Sequence, residues 1–364
     1  LHRLYGELST EEQNTAIAPA APGRRKIVLA TAIAETSLTI QGIRLVIDAG
    51  LARVSRFSPS TGMNTLITGR ETQDCADQRA GRAGRTGPGI CWRLWAEGEH
   101  LLPCRRPEIL EADPVPMLLD CLAWGALPQE LPFLTQPLPS SVDIAARTLL
   151  SLDAAVMQHG RLKLTPHGRE LAKLPLHPRL GHMLLHAGRD AGLAAALAVL
   201  AEEHPHSSCC DIRALLPLFR ERPRMKRDAA RLLSLIHTPS PFSLPAILEN
   251  ESRSGALLSL AWPERIAQRR SRGSFRLASG RGAELPQKDP LADTPLLAVA
   301  ALDGGSAGTA RIYLAAPLSQ QELMELHGAR TYREEKVVWD SSSESVQARK
   351  RLLLDALILE DSPV

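Results

Sequence analysis

Gln78-Arg79-Ala80-Gly81-Arg82-Ala83-Gly84-Arg85 is the stretch on which the reading of this chain turns. Three arginines recur at three-residue steps with two glycines among them. A glycine in a helix interior costs about 1 kcal/mol relative to alanine, and guanidinium groups are almost never buried unless paired. The stretch therefore suits neither a plain structural helix nor a core strand. Residues 71–78 lack Gly and Pro, so a helix is expected to end near Gln78 and open into a glycine-permitted bend. Such a bend aims several guanidinium forks at one small anion. Arginine, planar and permanently charged, suits a phosphate whose charge is being redistributed. The bland alternative is a solvated basic loop, which has little need of glycines in a G-R-x-G-R frame.

Upstream, residues 26–31 and 44–48 are short continuous apolar runs, the pattern of strands buried on both faces. Residues 54–57 and 64–67 read as brief strands joined by a bend at 58–62, a hairpin signal. Strand character resumes over 89–95. Strand–helix–strand alternation predicts a mostly parallel, covered sheet. Directly after the first apolar run comes Thr31-Ala32-Ile33-Ala34-Glu35-Thr36-Ser37-Leu38-Thr39-Ile40. Hydroxyls and backbone N–H groups at the carboxyl end of a strand are where α/β proteins hold phosphates. One Ser or Thr would satisfy a helix cap; this segment carries several. Asp48, at a strand end, fits a turn cap and a signalling role equally.

The 364 residues exceed one ordinary domain and suggest two to four. A net charge of +3 permits a nucleic-acid partner without demanding one. Basic residues gather locally, at 79–85, 220–231 and 265–281. Six cysteines without a C-x-x-C pair suit a reducing compartment. The start lacks the apolar core of a signal peptide, and no apolar run approaches the ~20 residues of a membrane span. The expected location is cytoplasmic, with no membrane partner. The first residues read as the end of a strand without an initiator Met, as in a fragment whose N-terminal part is missing.

Four segments are expected: an α/β segment over 1–102, small helices with a short β element over 103–175, a helical bundle over 176–255 and a β module over 256–364. Helices near 117–124 and 144–152, a strand at 161–165 and a helix at 169–174 follow the order of a winged helix. Amphipathic runs between 180 and 236 read as the bundle. Short apolar runs divided by Gly turns, at 275–278, 296–302, 310–315 and 337–340, read as a small barrel or sandwich. His204, His206, Cys209 and Cys210 lie close in sequence, but adjacent cysteines and H-x-H spacing suit tetrahedral zinc poorly. A helix–helix loop is the better reading.

These motifs carry a resemblance. Q-R-A-G-R-A-G-R at 78–85 resembles motif VI of superfamily 2 helicases, and T-A-I-A-E-T-S-L-T-I at 31–40 resembles motif V in its DEAH-box form. Leu4-Tyr5-Gly6-Glu7-Leu8 and a hairpin bearing Arg53, Arg56, Pro59, Thr61 and Gly62 match the same family in position. Trp124-Gly125, residues 260–267 and Gly280-Arg281-Gly282-Ala283 resemble the bacterial HrpB type. The resemblance spans essentially the whole chain. It implies a multidomain architecture of α/β, α and β parts: a second RecA-like helicase lobe, winged helix, helical bundle and OB-like barrel.

By the same resemblance, ATP and Mg²⁺ act between two RecA-like lobes. Arg82 and Arg85 would be arginine fingers, and Gln78 would position the phosphate or attacking water. Ser37, Thr39 and Gln41 would face the nucleotide and couple it to the nucleic acid. Thr31, Ala32, Arg53 and Arg56 would contact single-stranded RNA or DNA. Two positions depart from the pattern: Ala32 stands where the family carries Asn, and Gln41 where it carries an acid. No G-x-x-x-x-G-K-[ST] and no D-E-x-H occur in the sequence. The phosphate cradle and the Mg²⁺ carboxylate are therefore expected from a first lobe in cis, and this chain alone is expected to be inactive. The leading expectation is the C-terminal portion of an ATP-dependent helicase. A nucleic-acid binding or regulatory module without ATPase is the second, and a scaffold with a dead motif VI the third.

Overall fold

The computed structural model describes residues 1–6, 8–35, 40–58, 63–205, 207–237, 241–303, 309–340 and 345–364. The chain divides into two compact units, Leu1–Asp113 and Pro114–Val364. The first unit therefore runs past residue 102.

The first unit begins with strand β1 (His2–Leu4) and helix α1 (Thr10–Ile17). Ser9 and Glu12 close α1 with a reciprocal capping box. Strands β2 (Val28–Ala30), β3 (Leu45–Asp48), β4 (Leu51–Ser58) and β5 (Met63–Arg70) follow, then helix α2 (Gln73–Ala83) and β6 (Ile90–Arg93). β1 pairs with β2 and β3 with β6, both in parallel. β4 and β5 form an antiparallel hairpin from Leu51↔Arg70 to Ser58↔Met63, longer than the sequence suggests. The expectation that the parallel strands are buried on both faces is corrected. Leu29 is 58% exposed, Ile47 58% and Trp92 57%. Continuous apolar character gives a strand two apolar faces, but burial needs a layer on each. α2 packs against β3 and β6, and the alternate side chains remain open.

α2 brings a second correction. The helix does not stop near Gln78; it runs to Ala83, with Gly84 as its C-cap. Buried Thr72, Cys75, Ala76 and Ala83, with Arg79 among them, recur at helical spacing. That packed stripe outweighs the cost of Gly81, whose missing side chain faces open space.

The second unit opens with α3 (Pro114–Trp124), α4 (Pro139–Ser151), a hairpin of β7 (Ala155–Gln158) and β8 (Arg161–Leu164), and α5 (Pro166–Leu171). His159 (φ 51°) and Gly160 (φ 75°) make the two-residue turn whose twist suits a tight hairpin. Val115, Leu118, Leu149, Leu152 and Leu171 form one core. Helices α6 (Pro178–His186), α7 (Ala191–Glu203), α8 (Leu218–Glu221), α9 (Pro223–Leu235), α10 (Leu244–Glu249) and α11 (Ser254–Ala261) follow. α7 is buried all round from Leu193 to Ala201, its alanines letting neighbours approach closely. His204, in the left-handed region, ends α7, and the Cys210 amide donates to Asp289 at 2.8 Å.

Strands β9 (Ile266–Ser271), β10 (Ser274–Leu277), β11 (Gly282–Glu284), β12 (Leu296–Leu302) and β13 (Thr309–Pro317) close a barrel in the order β10-β11-β13-β12-β9. Helix α12 (Gln320–His327) leads to a separate antiparallel sheet of β14 (Thr331–Asp340), β15 (Ser345–Leu354) and β16 (Leu357–Pro363). Bundle and barrel share one core: Leu197, Phe219, Leu232 and Trp262 pack with Ala300 and Leu314. Buried Arg265 lies 5.0 Å over the Trp262 ring and donates to the Ala300 carbonyl at 3.1 Å. Among the described residues, no single helix is long and apolar enough to cross a membrane.

Candidate nucleotide-facing site

Arg79 stands at the centre of the first unit's polar interior. Its Nη2 lies 2.6 Å from Glu35 Oε1, and its Nη1 lies 2.8 Å from Asp48 Oδ1 and 2.5 Å from Glu71 Oε2. Nη2 also donates to the Leu51 carbonyl at 3.1 Å. Glu35 follows a 3₁₀ turn (Ala32–Ala34), Asp48 ends β3, and Glu71 follows β5. One guanidinium thus ties the helix to acceptors on four other segments, which a planar five-donor fork allows and the three donors of an ammonium do not. Arg105 adds a second cation, 3.1 Å from Glu35 Oε2. Asp48 also accepts from the Gly50 amide at 3.1 Å. Gly50 has φ +70°, and a side chain there would meet the Trp95 ring at 2.8 Å, so glycine is required.

Three buried carboxylates face two arginines in this cluster. Burial first, and then a hydrogen bond with Asp48, push Glu71 up to about 7, against the pull of Arg79. Burial alone would lower Arg79, but its hydrogen bonds to Glu35 and Asp48 prevail and hold it above its ordinary value.

Beside the cluster is a cavity of about 300 Å³ lined by residues of β2 and β3 and of the segments that follow them. Thr31, Ala32, Glu35, Asp48, Arg82 and Arg85 are among its lining residues. Arg82, on the last turn of α2, donates from Nη2 to the Glu35 carbonyl. Partial burial, and then the charge of Arg85, draw Arg82 below its ordinary value. Arg85 lies just past the helix end and is exposed. The Thr31 amide is not free: it donates to the Leu4 carbonyl at 3.1 Å. Its hydroxyl does not cap the following turn.

The structure thus brings Thr31, Ala32, Arg82 and Arg85 to one cavity. Gln78 and Gln41 are exposed and do not line it. Ser37 and Thr39 lie outside the described residues, as do the hairpin positions Pro59, Thr61 and Gly62. Arg53 and Arg56 both sit on β4 but at odd spacing, so they leave opposite faces of the hairpin. Arg56 pairs with Glu111 at 3.4 Å. Sequence reasoning missed Arg79, Glu71 and Arg105 as parts of the site. The available signal was the spacing of Cys75, Arg79 and Ala83, which puts Arg79 on the inward stripe once the helix continues through Gly81.

Comparison with known proteins places the chain in a family. Residues 1–87 match the family described as "Helicase conserved C-terminal domain". The ATP-dependent RNA helicase HrpB of Escherichia coli is 37% identical over 368 residues, covering 99% of this chain and 44% of that protein. The ATP-dependent RNA helicase HrpA of the same organism is 40% identical over 201 residues, covering 54% of this chain and 15% of that protein. A crystal structure of E. coli DEAH/RHA helicase HrpB superposes with a TM-score of 0.87 at 34% identity, over 100% of this chain and 45% of that one. The chain therefore spans less than half the length of the HrpB proteins it matches. With similarity along its whole length and the arginine helix in place, the chain belongs to the DEAH-box helicases, as the C-terminal part of the HrpB type.

Proposed function

We propose that the chain supplies the arginine side of the nucleotide site, and part of the single-strand channel, of an ATP-dependent RNA helicase. The observation that carries this is the convergence of Arg82 and Arg85 on a cavity lined by β2, β3 and the segments that directly follow them, Thr31–Glu35 and Ala49; the segment after a strand is where α/β proteins take phosphate ligands. ATP, when bound, supplies the phosphoryl group that is transferred to water. Arg82 and Arg85 are the groups of this chain that would neutralise charge developing on it. Arg79 does not share that task. Its donors are spent on Glu35, Asp48 and Glu71, so it acts as a positioning residue that fixes α2 and hence the angle at which Arg82 and Arg85 leave it.

The residues here suit the phosphate side of a nucleotide but not a divalent cation. Glu35 and Asp48, the carboxylates lining the cavity, are both engaged by Arg79, so a Mg²⁺ ligand has to come from elsewhere. Gln78, exposed as it stands, reaches a nucleotide only from the outer side of α2. The Thr31 hydroxyl and Ala32 supply nucleic-acid backbone contact, and Arg53 is better placed for it than Arg56, which is paired. Single-stranded RNA is the proposed partner, with DNA the second candidate. Within the second unit we assign the α3–α5 segment as a winged helix and β9–β13 as an OB-like barrel. Cytoplasmic location accords with the cysteine pattern.

The test is Arg82→Ala and Arg85→Ala in a protein that joins this chain to a phosphate cradle and D-E-x-H carboxylates. Each is expected to lower steady-state ATP hydrolysis by about 10³-fold or more, with little change in the thermal midpoint. Unchanged turnover would sink the proposal. A second reading, a nucleic-acid binding module without hydrolysis, draws on Arg53, exposed on β4. It predicts salt-dependent single-strand binding that ATP analogues do not alter.

A further inference from the structure

We infer that His167, His182 and His186 in the second unit form a binding site for a divalent transition-metal ion, with zinc as the ion of reference. His182 and His186 are one turn apart on α6, and His167 is near the start of α5. One ligand atom from each lies within 4.8 Å of the other two, and no other group of three His, Cys, Asp or Glu side chains among the described residues meets that condition. His167 Nε2 and His182 Nδ1 are 2.9 Å apart. Ligand nitrogens in tetrahedral zinc sites, with Zn–N of about 2.0–2.1 Å, stand about 3.3 Å from each other. A shift of a few tenths of an ångström thus exchanges the His–His hydrogen bond for two bonds to a shared ion.

The surroundings orient the rings for this. His186 Nδ1 is 3.0 Å from the His182 carbonyl, a donation that leaves Nε2 with its lone pair outward. His182 makes a backbone hydrogen bond to Leu152; with Nδ1 turned to His167, the other ring nitrogen makes it. Ligating histidines characteristically give their second N–H to a carbonyl in this way, which fixes tautomer and ring plane. The backbone beneath is also fixed. Next to His167, a side chain on Gly168 would meet the Ala154 carbonyl oxygen at 1.9 Å; next to His182, one on Gly181 would meet Leu171 of α5 at 2.9 Å. Both glycines permit the close approach that brings the three rings together. His186 is exposed and the other two are half-buried, so the ion has an entry path and one position left for water. Bound there, it would cross-link α5 to α6.

The experiment is titration of the chelator-stripped full chain with Zn²⁺ against a chromophoric competitor, with Co²⁺ absorption as a second readout. One equivalent is expected to bind at micromolar affinity or tighter, giving a Co²⁺ spectrum without thiolate charge transfer, and to raise the thermal midpoint. His186→Ala, which removes an exposed ring, is expected to weaken binding by roughly 100-fold or more without changing the circular dichroism. His167→Gln should do the same if His186→Ala is poorly folded. Absence of binding in millimolar Zn²⁺, equal binding by these variants, or loss of binding in Cys209→Ser would each overturn the inference.

Discussion

Glu71 faces Asp48 and Arg79 with no exposed side-chain surface, and its proton is held up to about 7 against an ordinary value of 4.5. A carboxyl raised in the folded state binds its proton more tightly there than in the unfolded chain. Its stabilising contribution is complete below pH 4.5 and is lost as pH rises through 7. Glu71→Gln keeps the shape and removes the titration. Urea midpoints of the first unit are expected to fall from pH 5 to pH 8 in the parent and to fall less in the variant; parallel profiles would refute the assignment. That Arg82 and Arg85 would reach a shared cavity was legible in the sequence, because closely spaced arginines around a helix end leave it in nearby directions. The division of labour was not legible. The spacing of Cys75, Arg79 and Ala83 turns Arg79 inward once the helix continues through Gly81, but the partners it meets there, Asp48 and Glu35, lie 31 and 44 residues upstream. Gln78 and Gln41 carry polar groups that sequence alone cannot orient.

Two glycines around α2 carry opposite expected signs for the same substitution. Gly81→Ala places a methyl where nothing lies within 4 Å and should stabilise the first unit by up to about 1 kcal/mol. Gly89→Ala drives a methyl to 2.1 Å from the Ala83 carbonyl oxygen and 2.8 Å from Ala83 Cβ. Backbone cannot yield cheaply, so the last turn of α2 must lift, at a cost of about 1–3 kcal/mol. Chemical denaturation of both variants checks the pair, and a destabilised Gly81→Ala would show that this face of the helix is occupied in solution. Elements with strong apolar patterns were readable: β12 falls on 296–302 as expected, and α7 lies within the span read as the bundle. β14–β16 were mostly missed because their pairing is ionic. Glu334 lies opposite Arg351 and Glu335 opposite Lys350, while Arg349 meets Asp361 at 2.6 Å. Charged alternation carries no hydrophobic period.

For the whole molecule, the order α/β, helices, β barrel was legible from composition. That bundle and barrel share one core was not, since that core gathers residues such as Leu197 and Leu314, far apart in sequence. Deleting 256–364 would remove most of α11 and uncover the apolar faces of α6 and α7 on which it packs. The expected product loses a cooperative thermal transition and is cut by protease within the bundle, and a folded 114–255 fragment would contradict the shared core. The packing at Trp262 has an optical consequence. Of the chain's five tryptophans, Trp92, Trp124 and Trp339 are exposed and Trp95 half-buried, leaving Trp262 as the buried one, with a cation over its ring. Native emission should therefore be red-shifted and open to quenching by iodide, with a small blue, iodide-resistant component from Trp262. That component would report the joint between bundle and barrel while the rest of the spectrum stays silent.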